Sequence, residues 1–296
     1  MRLLITGSNG LLGQKIVKQC LAKKIDFVAT SKGENRNPDC PDNRFLSMDI
    51  SNILDIKKVF DFYYPTHVIH TAAITNVDYC EDHIDECQTV NVEATKFLVQ
   101  VSNTYKAHIQ FLSTDFVFDG EKGNYVETDA VNPLSVYAQS KVDGEKIVQE
   151  LAENWSIART IIVYGEGHNL SRSNIVLWAR EALKSGNPLT IVDDQFRAPT
   201  WADDLAWGCL AIVVQNKQGI FHLSGPETIS IIDLVYRVAD FYQLPKTQVT
   251  PSKSTTLNQA AKRPPKTGFN LSKARKELGY NPMKLEETLG LLSELK

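Results

Sequence analysis

Residues 2–13 read Arg2-Leu3-Leu4-Ile5-Thr6-Gly7-Ser8-Asn9-Gly10-Leu11-Leu12-Gly13, and this segment is the strongest single indicator of the fold. The apolar run before Gly7 is typical of a buried parallel strand, and the apolar spacing after Gly10 is that of a helix. A glycine loop between strand and helix lets backbone N–H groups approach a pyrophosphate at the helix N-terminus. The spacing is G-x-x-G-x-x-G, which differs from the commoner G-x-G-x-x-G of dinucleotide-binding folds. A tight turn without a ligand is the alternative, although three glycines in seven residues are an unfavourable way to make a turn.

Strand and helix patterns alternate along the first half of the chain. Strands are predicted at residues 26–30, 45–48, 67–71, 109–112 and 156–163, and helices at 53–63, 86–105 and 134–151. This order, without internal repeats, predicts an α/β fold with a Rossmann-like doubly wound parallel sheet.

The second half of the chain has a looser pattern. We predict helices at residues 174–184, 205–214, 231–242, 273–278 and 285–295, extended segments at 189–192 and 219–223, a loop at 193–200 and a polar segment at 251–270. We therefore expect a dinucleotide-binding domain of residues 1–165 plus about 203–224. A smaller C-terminal substrate-binding lobe would comprise residues 166–202 and 225–296.

Composition narrows the class of protein. The chain has 296 residues, a net charge of −3, 43% hydrophobic and 23% charged residues, which is ordinary for a soluble enzyme. No basic surplus indicates a nucleic-acid partner, no apolar run is long enough for a membrane span, and no signal peptide begins the chain. The five cysteines are scattered without metal-site spacing, so we expect no metal, free thiols and a cytoplasmic location. The oligomeric state is left open, a homodimer included.

The end of the second predicted strand bears on the choice of cofactor. An acidic residue there would hold the adenosine 2′-hydroxyl of NAD, but the chain has Thr30, Ser31 and Lys32, with Arg36 nearby. Hydroxyls and cations suit a 2′-phosphate, so NADP(H) is favoured over NAD(H). The alternative is that Lys32 and Arg36 are solvated loop charges.

Tyr137 and Lys141 lie four residues apart in a predicted helix, so their side chains share one helix face. A lysine cation near a phenol favours the phenolate and lowers a pKa that is otherwise about 10. Thr114 stands at the carboxyl end of a predicted strand, where open α/β sheets bind ligands. His70 and His108, which flank strands, are interpreted as structural rather than catalytic.

These motifs together resemble a known superfamily. The glycine loop, the Ser113-Thr114-Asp115 strand end and Tyr137-x-x-x-Lys141 resemble an extended short-chain dehydrogenase/reductase over nearly the whole chain. Residues 113–120 are similar to the S-T-D-Y-V-F-D-G of dTDP-4-dehydrorhamnose reductases. Residues 72–78, the 194–200 segment and the Arg263-Pro264 pair resemble the same family.

The resemblance implies an activity, the reduction by NADPH of the C4 ketone of dTDP-4-dehydro-L-rhamnose to dTDP-L-rhamnose. Tyr137 would protonate the developing alkoxide, Lys141 would lower the Tyr137 pKa and hydrogen-bond the nicotinamide ribose, and Thr114 would donate to the carbonyl oxygen. Arg197 would pair with the diphosphate, with Arg263 as a second candidate.

The predicted binding residues form two sets. The cofactor set is Gly7, Ser8, Asn9, Gly10, Leu11, Leu12, Gly13, Ser31, Lys32, Arg36, Asp49, Ile50, Ala72, Ala73, Thr75, Asn91, Tyr137 and Lys141. The substrate set is Thr75, Val77, Thr114, Asp115, Phe116, Tyr137, Arg197, Trp201 and Arg263.

Departures from the family pattern leave alternatives open. Ile162 stands where the family often has tryptophan, Arg197 stands where glycine is usual, and the pattern after Pro264 is loose. One alternative is another extended enzyme of this type, a sugar-nucleotide epimerase or dehydratase, although Asp115-Phe116 lacks the Asp-Glu pair of dehydratases. The other is a non-catalytic NADP-binding subunit that resembles the regulatory β-subunit of methionine adenosyltransferase.

Overall fold

The computed structural model describes residues 1–257 and 259–294. Leu295, the predicted end of the last helix, lies outside the described residues. Among these residues, seven strands form one sheet, with other short strands in smaller sheets. The strands of the large sheet, numbered in chain order, are Arg2–Thr6 (β1), Asp26–Ser31 (β2), Phe45–Ser47 (β3), His67–His70 (β4), His108–Thr114 (β5), Trp155–Thr160 (β6) and Gly219–His222 (β11).

The large sheet is parallel throughout, in the order β11-β6-β5-β4-β1-β2-β3. The predicted Rossmann-like doubly wound sheet is confirmed. Leu3, Leu4 and Ile5 of the central strand β1 are fully buried, because helices cover both faces of the sheet. The strand order reverses between β1 and β4, which opens a crevice at their carboxyl ends.

Helices pack on both faces of this sheet. The helices are Leu11–Ala22 (α1), Ile53–Tyr63 (α2), Val77–Asp82 (α3), Ile84–Cys87 (α4), Ala94–Thr104 (α5), Val136–Leu151 (α6), Ile175–Lys184 (α7), Ala202–Val214 (α8), Ile231–Phe241 (α9), Ser272–Leu278 (α10) and Leu285–Glu294 (α11). α1 and α8 cover one face of the sheet, and α2, α5 and α6 cover the other.

A smaller lobe is built from the second half of the chain. Its short strands are Val163–Tyr164 (β7), Leu189–Val192 (β8), Phe196–Arg197 (β9), Thr200–Trp201 (β10), Ile229–Ser230 (β12), Val249–Ser252 (β13) and Lys266–Thr267 (β14). They pair as β10-β7, β12-β9-β14 and β13-β8. The core of this lobe lies between α7, α9, α11 and these strands.

Three local features differ from the predicted elements. The helix predicted at 86–105 is divided by a π-helical turn, Gln88–Glu93, between α4 and α5. The loop predicted at 193–200 contains β9 and the first residue of β10, because strands of two residues show no period-two pattern. Helix α10, placed in the substrate lobe by sequence, packs on α8 and β11 of the large domain.

Candidate active site

A cleft of about 810 Å³ opens at the carboxyl ends of the central strands, between the two domains. Most of the predicted cofactor and substrate residues line it. These are Gly7, Asn9, Gly10, Leu11, Leu12, Gly13, Ser31, Lys32, Arg36, Asp49, Ile50, Ala72, Ala73, Thr75, Val77, Thr114, Asp115, Phe116, Tyr137 and Lys141.

The glycine loop is shaped to admit a phosphate group. Gly7 has a φ of 70°, and a Cβ there would stand 2.7 Å from the backbone nitrogen of Ala72. A Cβ on Gly13 would overlap with the carbonyl oxygen of Gly7. No side chain caps the N-terminus of α1 at Gly10, so the first N–H groups of this helix are left for a ligand. The residues present therefore fit the pyrophosphate of a dinucleotide.

The carboxyl end of β2 supplies the groups expected to meet a 2′-phosphate. Ser31, Lys32 and Arg36 line the cleft here, and the Lys32 ammonium lies 2.8 Å from Oδ2 of Asp49. Burial raises the pKa of Asp49, but hydrogen bonds from Lys32 and Ser51 outweigh it, so the net pKa is lowered. Two cations, Lys32 and Arg36, line this end of the cleft together with the carboxylate of Asp49, which is paired with Lys32, and the carboxylate of Glu86, whose charge also acts on Lys32.

The catalytic residues predicted from sequence come together at the opposite end. Tyr137 and Lys141, both from α6, are buried and line the cleft beside Thr114 at the end of β5. The Thr114 side chain borders the Tyr137 phenol and acts to lower its pKa. The Thr114 hydroxyl also donates to Oδ1 of Asp115 at 3.0 Å.

The pKa values of Tyr137 and Lys141 differ from the sequence prediction. Burial raises the pKa of Tyr137 well above its ordinary value, and the hydrogen bond with Thr114 and the charge of Arg172 offset this only in part. Burial also lowers the pKa of Lys141 to about 7. The prediction that Lys141 lowers the Tyr137 pKa is corrected for this structure, because desolvation of the phenol is the larger effect.

Arg197 does not reach the cleft. It is 1% exposed, and its guanidinium donates to the carbonyl oxygens of Phe196, Pro264 and Pro265. Its Nε lies 3.6 Å from Oδ2 of Asp115. This corrects the prediction that Arg197 pairs with a diphosphate, since its donors are used within the protein.

Arg263 and Trp201 also stand away from the cleft. The Arg263 guanidinium binds both carboxylate oxygens of Asp78, at 3.1 and 2.7 Å, which joins the small lobe to α3. Trp201 is buried, with its ring against Tyr164 and the Lys15 ammonium. Both predictions of substrate contact are corrected, because these side chains connect parts of the protein.

Two predicted cofactor residues support the cleft from behind. Asn91 accepts a hydrogen bond from the N–H of Ile74 at 2.8 Å and donates to its carbonyl oxygen at 3.0 Å. It therefore fixes the wall formed by residues 72–75 and does not line the cleft. Ser8 is buried, with its backbone nitrogen bonded to the carbonyl oxygen of Thr30.

Sequence reasoning missed a segment that crosses the cleft, residues 166–174, here called the strap. Gln14 of α1 donates to the carbonyl oxygen of His168 at 2.7 Å and accepts from its N–H at 2.8 Å. Further along the strap, Arg172 donates to Oγ1 of Thr75 at 2.6 Å. The positive charge of Arg172 acts to lower the pKa of Tyr137. Nothing in the local sequence signals these contacts, since they join residues far apart in the chain.

Ile162, which stands where the family often has tryptophan, also lines the cleft. Its φ is 25°, in the left-handed region that β-branched residues rarely adopt. Such strain is found where the surrounding structure holds a functional site in place.

Comparison with known proteins defines the family. The family described as RmlD substrate binding domain matches residues 1–294. The chain belongs to the RmlD family. The resemblance found in the sequence is thereby confirmed.

Comparisons with individual proteins give finer similarities. A dTDP-4-dehydrorhamnose reductase from Aggregatibacter actinomycetemcomitans is 30% identical over 304 residues, covering 97% of this chain and 97% of that protein. Methionine adenosyltransferase 2 subunit beta from Danio rerio is 29% identical over 268 residues, covering 89% of this chain and 80% of that protein. The crystal structure of dTDP-4-dehydrorhamnose reductase from Bacillus anthracis, in complex with NADP, has a TM-score of 0.86 at 26% identity, covering 100% of this chain and 99% of that one.

Two further predictions from composition concern the cysteines and the presence of membrane-spanning helices. All five cysteines are buried free thiols, as predicted. Among the described residues, no helix combines the length and apolar composition that crossing a membrane requires. The cytoplasmic location and the homodimer stay predictions.

Proposed function

We propose that this member of the RmlD family is an NADPH-dependent reductase of a nucleotide-linked deoxysugar, converting dTDP-4-dehydro-L-rhamnose to dTDP-L-rhamnose. The observation that carries the proposal is the pair of Tyr137 and Thr114, which lines the same cleft as the uncapped glycine loop. A proton donor and a pyrophosphate site in one cleft are what reduction of a ketone by a dinucleotide requires.

NADPH is the cofactor that the residues fit. The glycine loop would hold the pyrophosphate, and Ser31, Lys32 and Arg36 would hold the 2′-phosphate. The structural relative from Bacillus anthracis, which is in complex with NADP, supports this choice. When bound, the cofactor supplies the hydride that reduces the C4 ketone.

The protein's own part in the reaction is to place a proton at the developing alkoxide. Tyr137 starts in its protonated form, because burial raises its pKa, and it would give this proton to the C4 oxygen. Lys141 lies on the same helix face and would stabilise the tyrosinate left behind. The buried position of both side chains strengthens their electrostatic effect.

Arg172 is the residue that we assign to the substrate's diphosphate, in place of Arg197 and Arg263. It lines the cleft near Tyr137 and contacts Thr75 through a single guanidinium nitrogen. Among the described residues, its other N–H groups have no hydrogen-bond partner. A guanidinium with free donors suits bidentate binding of phosphate oxygens.

A second candidate function is a non-catalytic NADP-binding subunit, which the similarity to methionine adenosyltransferase 2 subunit beta favours. The intact set of Thr114, Tyr137 and Lys141 supports the reductase instead. A dehydratase is less well supported, because the Asp115 carboxylate is hydrogen-bonded to Thr114 and Thr267 and so is not free for acid–base work.

The two candidates differ in a simple assay. Purified protein is mixed with NADPH and dTDP-4-dehydro-L-rhamnose, and the nucleotide sugars are identified by mass spectrometry. A reductase yields dTDP-L-rhamnose in step with consumption of NADPH. Tight binding of NADPH with no sugar product would reject the reductase and support the regulatory subunit.

A further inference from the structure

The carboxylate of Asp115 lies where the two domains meet. One oxygen, Oδ1, accepts from the hydroxyl of Thr114 at 3.0 Å. The other, Oδ2, accepts from Thr267 of β14 and lies 3.6 Å from Nε of Arg197 in β9. Asp115 is 2% exposed and Arg197 is 1% exposed, so this ion pair is removed from water.

The bond to Asp115 determines how the Thr114 hydroxyl is directed. A carboxylate can accept hydrogen bonds but cannot donate them, so the single hydrogen of Thr114 must point to Asp115. The Thr114 oxygen then acts as an acceptor from the N–H of Phe116 at 3.2 Å. In this arrangement Tyr137, rather than Thr114, has a hydrogen available for the substrate.

Arg197 is itself held rigidly by the substrate lobe. Two of its guanidinium nitrogens donate to backbone carbonyl oxygens at distances between 2.6 and 3.2 Å, which leaves Nε directed at Asp115. Burial raises the pKa of Asp115 and lowers that of Arg197, and the opposite charge of each partner offsets part of this change. Each charge therefore depends on the other being in place.

We propose that Arg197 is a positioning residue, which fixes Asp115 and, through it, the direction of the Thr114 hydroxyl beside Tyr137. The contact of the substrate lobe with Asp115 thus orients the group that borders the proton donor. The proposal rests on the proposed function for its consequence in catalysis, but the surroundings of the Tyr137 phenol can be observed without turnover.

If the ion pair of Arg197 and Asp115 served only to stabilise the fold, its replacement by neutral residues would leave catalysis unchanged. Buried ion pairs are often replaceable by neutral residues of similar volume without loss of stability. Arg197→Met alone would leave the Asp115 charge buried and unpaired, which destabilises the fold, so the informative variant is the neutral double variant Arg197→Met/Asp115→Asn. Arg197→Lys keeps the charge, and Arg237→Met/Glu227→Gln removes an exposed ion pair of the same lobe as a control.

The experiment measures steady-state kinetics and the NMR resonance of Tyr137 in protein labelled at tyrosine Cζ, with the Tyr137 signal assigned by its absence in Tyr137→Phe. For the folded double variant we expect the Tyr137 resonance to move and kcat to fall by about tenfold or more, equivalent to about 1.4 kcal/mol. The KM for NADPH should stay within about twofold, and Arg197→Lys should recover most of the kcat.

A folded double variant whose Tyr137 resonance is unchanged would overturn the proposal. An unchanged kcat in that variant, with an active wild type, would overturn it as well. If the wild type does not reduce the nucleotide sugar, the proposed function fails, and the resonance still decides whether Arg197 positions Tyr137.

Discussion

The ammonium nitrogen of Lys141 lies 4.0 Å from the ring centre of the buried Phe111. Burial lowers the pKa of Lys141 to about 7, and the charge of Glu145 on the next turn of α6 offsets this only in part. Lys141 is therefore close to half neutral at pH 7 in the free protein, and an anionic ligand would favour its charged form.

NADPH binding should therefore take up a proton above pH 7. The uptake should approach one proton between about pH 8 and pH 9, where free Lys141 is neutral and the diphosphate of NADPH favours the ammonium. Isothermal titration calorimetry in buffers of different ionisation enthalpy measures the number of protons. Lys141→Met should abolish the uptake, whereas the exposed Lys246→Met should not. Equal uptake by wild type and Lys141→Met would contradict the assignment.

Tyr137→Phe removes the proton donor and keeps the ring that packs against Phe116. We expect kcat to fall by about 10² to 10⁴, the range for loss of a general acid, with the Kd for NADPH changed by less than about twofold. Stopped-flow measurement of NADPH oxidation and fluorescence titration test the two quantities. Tyr236→Phe, in α9 of the other lobe, is the matched control. A kcat near that of the control would exclude Tyr137 as the acid.

Arg36→Ala tests the choice of cofactor. The loss of a cation from the 2′-phosphate site should weaken NADPH binding by about tenfold, which is about 1.4 kcal/mol, and leave NADH binding nearly unchanged. Arg44→Ala, which removes a cation bound to Asp26 outside the cleft, serves as the control. The quantity compared between the variants is the ratio of the Kd for NADH to the Kd for NADPH. A ratio that Arg36→Ala does not alter would show that Arg36 is a solvated loop charge.

Arg172→Ala tests the diphosphate site on the strap. We expect the KM for the nucleotide sugar to rise by about tenfold or more, with the KM for NADPH affected much less, because one charged hydrogen-bonding group is lost. The KM of Arg172→Lys for the nucleotide sugar should lie between those of the wild type and Arg172→Ala, since lysine keeps the charge and loses the bidentate geometry. The control is Arg237→Ala on the exposed surface. If the sugar KM is unchanged, the diphosphate is bound elsewhere.

His70 should make the protein less stable in acid. Its imidazole is buried between Thr6 and Thr95, and burial lowers its pKa to about 3. Below its unfolded pKa of about 6.5, the unfolded chain binds a proton that the folded chain does not. Stability is therefore lost as the pH falls from about 6.5 towards 3, by up to about 1.4 kcal/mol per pH unit.

Urea denaturation at several pH values measures this slope for His70. His70→Gln should reduce the slope between about pH 6 and pH 4 by up to one proton, and His83→Gln at an exposed site should not. Equal slopes for wild type and His70→Gln would mean that other groups account for the acid sensitivity.

The fold and the catalytic set could be predicted from sequence because both depend on local patterns. The apolar run ending at Thr6 and the glycines after it specify a strand, a turn and a helix without distant contacts. Tyr137 and Lys141 share a helix face by periodicity, and Thr114 follows from the end of a strand. These features bring the three side chains to one cleft.

The roles of the arginines could not be predicted, because they depend on contacts between distant residues. Arg197 is far from Asp115 in sequence, and its burial arises only when β9 packs against the end of β5. Arg172 lies in a loop without periodicity, so no pattern placed it over Thr75. The raised pKa of Tyr137 was missed for the same reason, since desolvation depends on tertiary packing.

We propose that this chain directs a hydride to C4 of a nucleotide-linked ketosugar while Tyr137 supplies the proton. The most direct test uses NADPH labelled with deuterium at the transferred position, together with dTDP-4-dehydro-L-rhamnose, and locates the label in the product by NMR. We expect deuterium on C4 of dTDP-L-rhamnose with the wild type and a strongly reduced rate of labelling with Tyr137→Phe. NADPH that binds but transfers no deuterium to the sugar would contradict the account.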